Sequence, residues 1–150
     1  MIAVDFAAVD HWFEEDVEVF VHPRSPLTRI DALASSRHVV VSVEGVTLAD
    51  TRKPTLLFET LVPTRHYVPM VDVNLDLLVP SDTRSSCPYK GHARYWSAQV
   101  GGQTHADLAW SYPTPLPEVT PIAGQICFFD ERVDIAIDGV LQERPRSHFA

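Results

Sequence analysis

Cys87 and Lys90 lie three residues apart in the stretch Ser86-Cys87-Pro88-Tyr89-Lys90-Gly91. A cysteine attacks electrophiles as its thiolate, which nearby cationic groups stabilise. Lys90, together with His92 or His105, is therefore a candidate to activate Cys87 as a catalytic nucleophile or redox thiol. The alternative is that Cys87 is a small apolar residue at the start of a turn, because unpaired cysteines are usually buried and inert. The sequence leaves the exposure of the thiol open.

Lys90 and Gly91 are also suited to holding an anionic group. The ammonium supplies charge, the glycine lets backbone N–H groups approach a ligand, and Arg94 is a second cation nearby. The alternative is a surface lysine whose aliphatic stem packs on Tyr89 or Tyr95. Both interpretations stay open, because a loop lysine between proline and glycine is well placed for a ligand without being diagnostic.

Aromatic side chains flank this stretch and recur in a second one, Ala109-Trp110-Ser111-Tyr112-Pro113. Such residues either line a pocket that stacks on a flat ligand or fill the core, with their N–H and O–H groups bonded locally. For Trp110, within an apolar strand, a core position is favoured. If a hairpin joins the two stretches, they predict a ligand pocket formed by Tyr89, Lys90, Gly91, Arg94, Tyr95, Trp110 and Tyr112.

Patterns typical of metal and cofactor sites are missing from the sequence. Asp72 and Asp76 have neither the turn glycine nor the many oxygen ligands of a calcium loop. The histidines follow no zinc-binding spacing, and Cys87 and Cys127 are too far apart in sequence for a Cys-x-x-Cys pair. No Gly-x-Ser-x-Gly elbow or glycine-rich phosphate loop occurs. The sequence therefore predicts no metal and no cofactor.

Short β-strands separated by turns are expected to position these residues. Valine-rich segments over residues 38–43 and 46–49 flank Glu44-Gly45, which predicts a tight hairpin. Strands over residues 92–100 and 108–112 flank Gly101-Gly102 in the same way. Further strands are predicted over residues 55–60, 65–68, 74–79, 125–129 and 133–137, with a turn over 70–73 and a polar loop over 80–86. With no helix of normal length between them, these strands predict an antiparallel all-β domain.

The predicted β domain covers residues 31–141. Residues 1–30 form a predicted N-terminal arm. Phe6, Val9 and Phe13 have helical spacing, which predicts a short helix over residues 3–15, and alternating valines predict a strand over residues 17–21. Residues 142–150 are expected to be a loose polar tail.

Composition limits the function classes. The chain has 150 residues, 45% of them hydrophobic and 21% charged, which is typical of one globular domain. A net charge of −8 with scattered basic residues argues against nucleic acid as a partner, since such proteins need a basic face. No apolar run approaches the roughly 20 residues of a membrane span. The start of the chain lacks signal-peptide features, and two cysteines are too few for a disulfide framework, so a reducing cytoplasm is expected.

Several short motifs occur in a characteristic order. They are Gly45-Val46-Thr47-Leu48-Ala49-Asp50-Thr51, Tyr67-Val68-Pro69 with Asp72-Val73, Cys87-Pro88-Tyr89-Lys90-Gly91, Ala109-Trp110-Ser111-Tyr112-Pro113, and Ile122-Ala123-Gly124 with Phe128-Phe129. In this order and spacing the chain resembles, over roughly residues 38–141, the bacterial domain-of-unknown-function 427 family.

The resemblance implies a compact single domain that is barrel-like or akin to the β-tent of methionine sulfoxide reductase B and its relatives. Several of those relatives hold a structural zinc between Cys-x-x-Cys pairs, which this chain lacks, so that site is not carried over. The family has also been loosely labelled nucleotidyltransferase, and no motif in the chain supports that label.

Three hypotheses for the function follow. The leading one is a cytoplasmic domain that binds a small, anionic ligand in a pocket between residues 87–94 and 110–112. One alternative is an enzyme that uses Cys87 as nucleophile or redox thiol. The other is a protein–protein interaction module that uses a sheet edge or the proline-rich residues 113–121. No nucleic acid or membrane partner is expected, and whether the chain forms a homo-oligomer stays open.

Overall fold

The computed structural model describes residue 5, residues 8–19, residue 27 and residues 29–147. In that part of the chain, β-strands dominate and every pair of named strands is antiparallel. The strands are β1 (Phe13–Glu14), β2 (Val17–Glu18), β3 (Ile30–Ala34), β4 (Val39–Val43), β5 (Val46–Thr51), β6 (Thr55–Glu59), β7 (Arg65–Val68), β8 (Leu78–Cys87), β9 (Gly91–Val100), β10 (Gln103–Ser111), β11 (Ile126–Phe128), β12 (Asp134–Ile137) and β13 (Val140–Leu141). Short 3₁₀ turns cover Met70–Asp72, Leu75–Leu77 and Pro117–Ile122.

The strands form a seven-stranded sheet in the order β3-β6-β7-β11-β10-β9-β8, a four-stranded sheet in the order β13-β12-β4-β5, and the separate β1–β2 pair. This arrangement confirms the predicted antiparallel all-β single domain. The described residues form no closed barrel, because β3 and β8 lie at opposite edges of the large sheet and do not pair.

One face of the seven-stranded sheet, called here the inner face, packs against the four-stranded sheet. Residues alternate between the two faces of a strand, and on β7, β9, β10 and β11 one set of alternating residues joins the valines of β4 in a single apolar core. This core includes Val39, Val41, Val68, Ala98, Leu108, Ile126 and Phe128, all nearly or fully buried. It fixes the sheet that carries the candidate site.

The opposite face of the seven-stranded sheet, called here the outer face, has a smaller apolar cluster. Its buried members are Leu57, Tyr67, Ala93, Trp110, Tyr112, Val119, Ile122 and Cys127. Val119 and Ile122 belong to the 3₁₀ segment Pro117–Ile122, which covers part of this face. The sequence after Tyr112 contains several prolines, so it crosses the face as an irregular segment and leaves part of the face uncovered.

The region before the Cys87 stretch differs from the prediction. The sequence predicts a strand over residues 74–79 with Leu75, Leu77 and Val79 pointing inward, followed by a polar loop. Instead, Leu75–Leu77 is a 3₁₀ turn, Leu78 is the buried residue, and the supposed loop forms most of the ten-residue strand β8. β8 is an edge strand with largely exposed side chains, so it tolerates Pro80 and shows no apolar alternation.

The N-terminal helix prediction is wrong over residues 9–15, whereas Ala8 lies in a 3₁₀ turn and its N–H donates to the Asp5 carbonyl at 3.0 Å. Phe13–Glu14 pairs with Val17–Glu18 as a small hairpin, and Glu15 has a positive φ of 51°. Glu14 and Glu15 instead accept hydrogen bonds from Arg29 (2.6 Å) and Arg37 (2.9 Å) of the β domain. Residues 3–4 and 6–7 of the predicted helix, and 20–21 of the predicted strand, lie outside the described residues. β3 was not predicted at all.

Candidate functional site

A cavity of about 350 Å³ opens on the outer face of the large sheet. Its walls come from strands β6 to β10, from the β8–β9 turn and from the residues flanking β6 and β11. The lining residues are Leu57, Glu59, Val62, Arg65, Tyr67, Ser85, Ser86, Cys87, Pro88, Lys90, Tyr95, Trp110, Tyr112 and Phe129. Most of the wall is aromatic or aliphatic, and the charged groups are confined to Glu59, Arg65 and Lys90.

The β8–β9 turn forms one side of the cavity. Cys87 ends β8 opposite Gly91, and the N–H of Lys90 donates to the carbonyl of Cys87 at 3.3 Å. Gly91 has a φ of +104°, and a Cβ there would lie 3.3 Å from the carbonyl oxygen of Thr114. Only glycine fits this conformation and this close approach. The motif residue Gly91 thus shapes the turn and does not line the cavity.

Lys90 and Glu59 form an ion pair in the cavity wall. The Lys90 ammonium donates to Glu59 Oε2 at 2.5 Å, and the two side chains are 12% and 19% exposed. The main chain of Lys90 is also held, because Leu116 N–H donates to its carbonyl at 3.1 Å. The ammonium therefore has a fixed position with its charge balanced by a carboxylate.

Arg65 forms a second, more buried ion pair. Its guanidinium makes two 2.8 Å hydrogen bonds to the two carboxylate oxygens of Glu131 and a 3.3 Å bond to Asp130, and its side chain is only 5% exposed. The guanidinium carbon also lies 5.5 Å from the centre of the Trp110 ring. This planar, two-pronged contact holds Arg65 rigidly beside the cavity.

Glu131 and Arg65 each favour the charged form of the other. Burial acts to raise the pKa of Glu131, but hydrogen bonds from Arg65 and Ser147 outweigh burial and lower this pKa to about 2. Burial opposes the charge of Arg65, yet the bonds to Glu131 and the neighbouring negative groups raise its pKa above the ordinary value. Asp130 also accepts a 3.2 Å contact from His66. Glu131 and Arg65 are therefore both charged at neutral pH.

Three aromatic rings of the cavity wall pack against one another. Trp110 packs edge-on against Tyr67, at 6.3 Å between centroids, and in a tilted contact against Phe129, at 4.6 Å. The Trp110 indole N–H donates to Tyr67 Oη at 3.1 Å. Burial raises the pKa values of both Tyr67 and Tyr112 above their ordinary range, so both hydroxyls stay protonated. The wall is rigid, and Trp110 serves both the outer cluster and the cavity.

Cys87 is half-buried in the cavity wall, whereas Cys127 is fully buried. Burial, followed by the charge of Asp130, raises the pKa of Cys127 well above its ordinary value. The two histidines proposed to assist Cys87 have other neighbours. His92 Nδ1 lies 2.8 Å from Ser86 Oγ, and His105 Nε2 lies 3.5 Å from Glu44. Cys87 is accessible from the cavity without a histidine beside it.

The residues predicted for one pocket are divided among three places. Cys87, Lys90, Tyr95, Trp110 and Tyr112 line the same cavity. Tyr89 is 62% exposed and borders a neighbouring groove with Leu27, Arg29 and Leu61. Arg94 lies in a third groove, on the far side of the β8–β9 hairpin.

Sequence reasoning missed Glu59, Arg65, Tyr67 and Phe129. Arg65 carried a usable indication, since it is a charged residue inside a short apolar strand and such residues are almost never fully buried unless paired. Its partner Glu131 is far away in sequence, so the pair itself could not be inferred.

Within the described ranges, no three His, Cys, Asp or Glu side chains come together as a group that could hold a metal ion. No helix in the same part of the chain has both the length and the apolar character needed to cross a membrane.

Comparison with known proteins supports one assignment. No curated protein matches the chain significantly. A family model described as a domain of unknown function, DUF427, matches residues 31–139, which is most of the chain and includes all the cavity-lining residues. On this match, the chain belongs to the DUF427 family.

Proposed function

We propose that the chain is a small-molecule-binding domain whose ligand occupies the outer-face cavity. The observation that carries the proposal is the cavity itself. Its volume of about 350 Å³ falls in the range of small-ligand sites, and its wall is mainly aromatic and aliphatic with a few fixed polar groups. Rings such as Trp110, Tyr95 and Phe129 favour a flat, largely apolar ligand, because aromatic faces bind best to planar groups.

The charges around the cavity limit the ligand further. Lys90 is paired with Glu59, and Arg65 is paired with Glu131 and Asp130. A strongly anionic ligand would have to compete with these carboxylates. The proposal is therefore a neutral ligand that accepts hydrogen bonds from Lys90 or the tyrosine hydroxyls, in place of the anionic ligand expected from Lys90 alone.

A thermal-shift screen with neutral, planar aromatic compounds tests the proposal. Val62 is half-buried and lines the cavity, so Val62→Phe should fill part of the cavity and remove ligand-induced stabilisation. Leu61 is 97% exposed and lies outside the cavity, so Leu61→Phe adds the same ring next to it as a matched control.

The expected result is a set of compounds that raise the melting temperature of the wild type and Leu61→Phe but not that of Val62→Phe. A ligand present at 100 times its Kd stabilises a folded protein by about 2.7 kcal/mol. If compounds stabilise all three proteins equally, they bind elsewhere and the cavity is not the site. If no compound stabilises the wild type, the proposed ligand class is wrong.

A second candidate function is an enzyme that forms a covalent intermediate through Cys87. The specific observation is that the Cys87 thiol borders the same cavity, where a bound electrophile would reach it. Intact-mass measurement after incubation with small aromatic electrophiles tests this, with Cys87→Ser as the variant.

Both cysteines are unpaired, which supports a reducing compartment such as the cytoplasm as part of the proposal.

A further inference from the structure

A second groove, of about 390 Å³, lies beside the β8–β9 hairpin. It borders the ligand cavity only through Ser85 and Ser86, which contribute to both. Its lining residues are Arg84, Ser85, Ser86, His92, Ala93, Arg94, Pro113 and Thr114. This set contains two arginines, a histidine and three hydroxyl groups, and it contains no carboxylate.

Arg84 and Arg94 are directly opposite each other on paired strands. Like charges at such positions destabilise a sheet. Arg84 donates to the carbonyl oxygens of Ser81 and Thr83, at 2.8 and 2.6 Å, and these bonds do not neutralise its charge. In the described part of the chain, neither guanidinium forms an ion pair with a carboxylate. The nearby carboxylate of Asp107 is instead hydrogen-bonded to Thr83.

Arg84 and Arg94 differ from five other basic residues of this acidic chain. The chain has 20 acidic and 12 basic residues. Arg29, Arg37, Arg65, Lys90 and Arg144 each contact at least one carboxylate. In this groove, where two arginines face each other without a carboxylate partner among the described residues, an added negative charge would remove a repulsion.

Two polar side chains of the groove, those of Ser86 and His92, contact each other. Ser86 Oγ and His92 Nδ1 are 2.8 Å apart, on paired residues of β8 and β9. Thr114 is held beside the hairpin because Leu116 N–H bonds to Lys90 and because Gly91 permits close contact with the Thr114 carbonyl. Hydroxyl and imidazole groups in this groove can donate hydrogen bonds to a ligand that the guanidinium groups of Arg84 and Arg94 also bind.

We propose that this groove binds a phosphate group, either as free phosphate or as a small phosphate monoester. A guanidinium matches two phosphate oxygens at once, and paired arginines neutralise a dianion. Serine, threonine and histidine donors suit the remaining oxygens. The proposal goes beyond the cavity function, because it concerns a different groove and a different class of ligand.

The test measures the affinity of inorganic phosphate by isothermal titration calorimetry at constant ionic strength. The variants are Arg84→Gln and Arg94→Gln, with Arg52→Gln as the matched control, since Arg52 is an exposed arginine outside the groove. Arg84 and Arg94 are exposed as well, so none of these changes should unfold the protein. Each groove variant should bind phosphate about tenfold more weakly or worse, the loss expected for one charge-assisted contact. The control should bind like the wild type.

Glycerol phosphate, titrated in parallel, distinguishes the two sources of the group. Tighter binding than inorganic phosphate would identify a phosphate monoester, and equal or weaker binding would identify free phosphate. The proposal is overturned if the wild type binds neither probe, or if Arg52→Gln lowers the affinity as much as the groove variants do. Neither result affects the cavity proposal, which Val62→Phe tests separately.

A second readout does not depend on the probe. Without phosphate and at low ionic strength, Arg94→Gln should raise the melting temperature, because it removes the repulsion with Arg84. Added salt should remove this gain through screening. A drop in melting temperature at low salt would contradict the unbalanced charge on which the proposal rests.

Discussion

The inner face of the seven-stranded sheet is mostly apolar and packs against a second sheet, whereas its outer face carries two ion pairs, several tyrosines and an open cavity. Both faces belong to the same strands, and adjacent residues such as Ala109 and Trp110 point to opposite sides. The inner face is covered by a second sheet, and the outer face only by the short segment Pro117–Ile122. The incomplete cover is what creates a cavity.

The comparison shows how the two faces divide their roles. The inner face contributes stability through dry packing, which depends on volume and shape. The outer face contributes less apolar burial and holds charged groups at fixed positions, an arrangement that costs stability unless every charge is paired. The proposed binding function gives a reason for a buried arginine and tyrosines on this face.

The largest expected effect is the loss of Arg65. Arg65→Met should lower the free energy of unfolding by about 3–5 kcal/mol, because Glu131 and Asp130 lose a buried partner. Urea denaturation measures this. The double variant Arg65→Met/Glu131→Leu should recover part of the loss, since it removes one unpaired charge. A double variant no more stable than the single one would show that packing, not charge pairing, explains the effect.

Truncation on the inner face should affect stability without affecting binding. Leu108→Ala should lower the free energy of unfolding by about 2–5 kcal/mol, because it leaves a void in the dry core. The rise in melting temperature produced by a cavity ligand should stay as large as in the wild type. Loss of that rise would mean that the two faces are not independent.

Acid stability should depend on the outer face. Because the pKa of Glu131 is lowered from 4.5 to about 2 on folding, its contribution is fully present above about pH 4.5 and is lost as the pH falls toward 2. Melting temperatures measured across this range should fall less steeply for Glu131→Gln than for the wild type. The control Glu143→Gln, which changes an exposed carboxylate, should show the same dependence of melting temperature on pH as the wild type. If Glu131→Gln also showed the wild-type dependence, the lowered pKa of Glu131 would not be a source of acid stability.

A smaller effect is expected at the cavity wall. Lys90→Met should lower the free energy of unfolding by about 1–3 kcal/mol, because Glu59 keeps a largely buried charge without its partner. The double variant Lys90→Met/Glu59→Gln should be more stable than Lys90→Met alone. Unfolding curves that show no difference between the single and double variants would mean that the pair is solvated and does not shape the wall.

Hairpins and buried strands were predicted from the sequence, whereas the edge strands of the large sheet were not. β7 was predicted over its observed range, and the hairpin at Glu44-Gly45 was predicted because Gly45 takes a positive φ. β8 was taken for a loop, because a strand exposed on both faces has the polar composition of a loop. Residues 80–86 become a strand only because they pair with β9, and the local sequence does not show that pairing.

The lining of the cavity was predicted where its residues are close in sequence. Cys87, Lys90, Tyr95, Trp110 and Tyr112 come from two neighbouring stretches joined by the β9–β10 hairpin, and they do line one cavity. Glu59, Arg65 and Phe129 come from strands that a single sequence does not place beside them. Arg94 was assigned to the wrong groove, because its neighbour Tyr95 points to the opposite side of β9.

The most direct test of the account uses two tryptophans as probes of the two faces. Trp110 lines the cavity, whereas Trp96, on the neighbouring strand, packs against the inner core. Their indole N–H signals, assigned by Trp→Phe variants, can be followed by NMR during titration with the most stabilising compound. The account predicts that the Trp110 signal shifts in proportion to occupancy while the Trp96 signal stays in place. A shift of the Trp96 signal alone, or of neither signal, would contradict binding at the outer face.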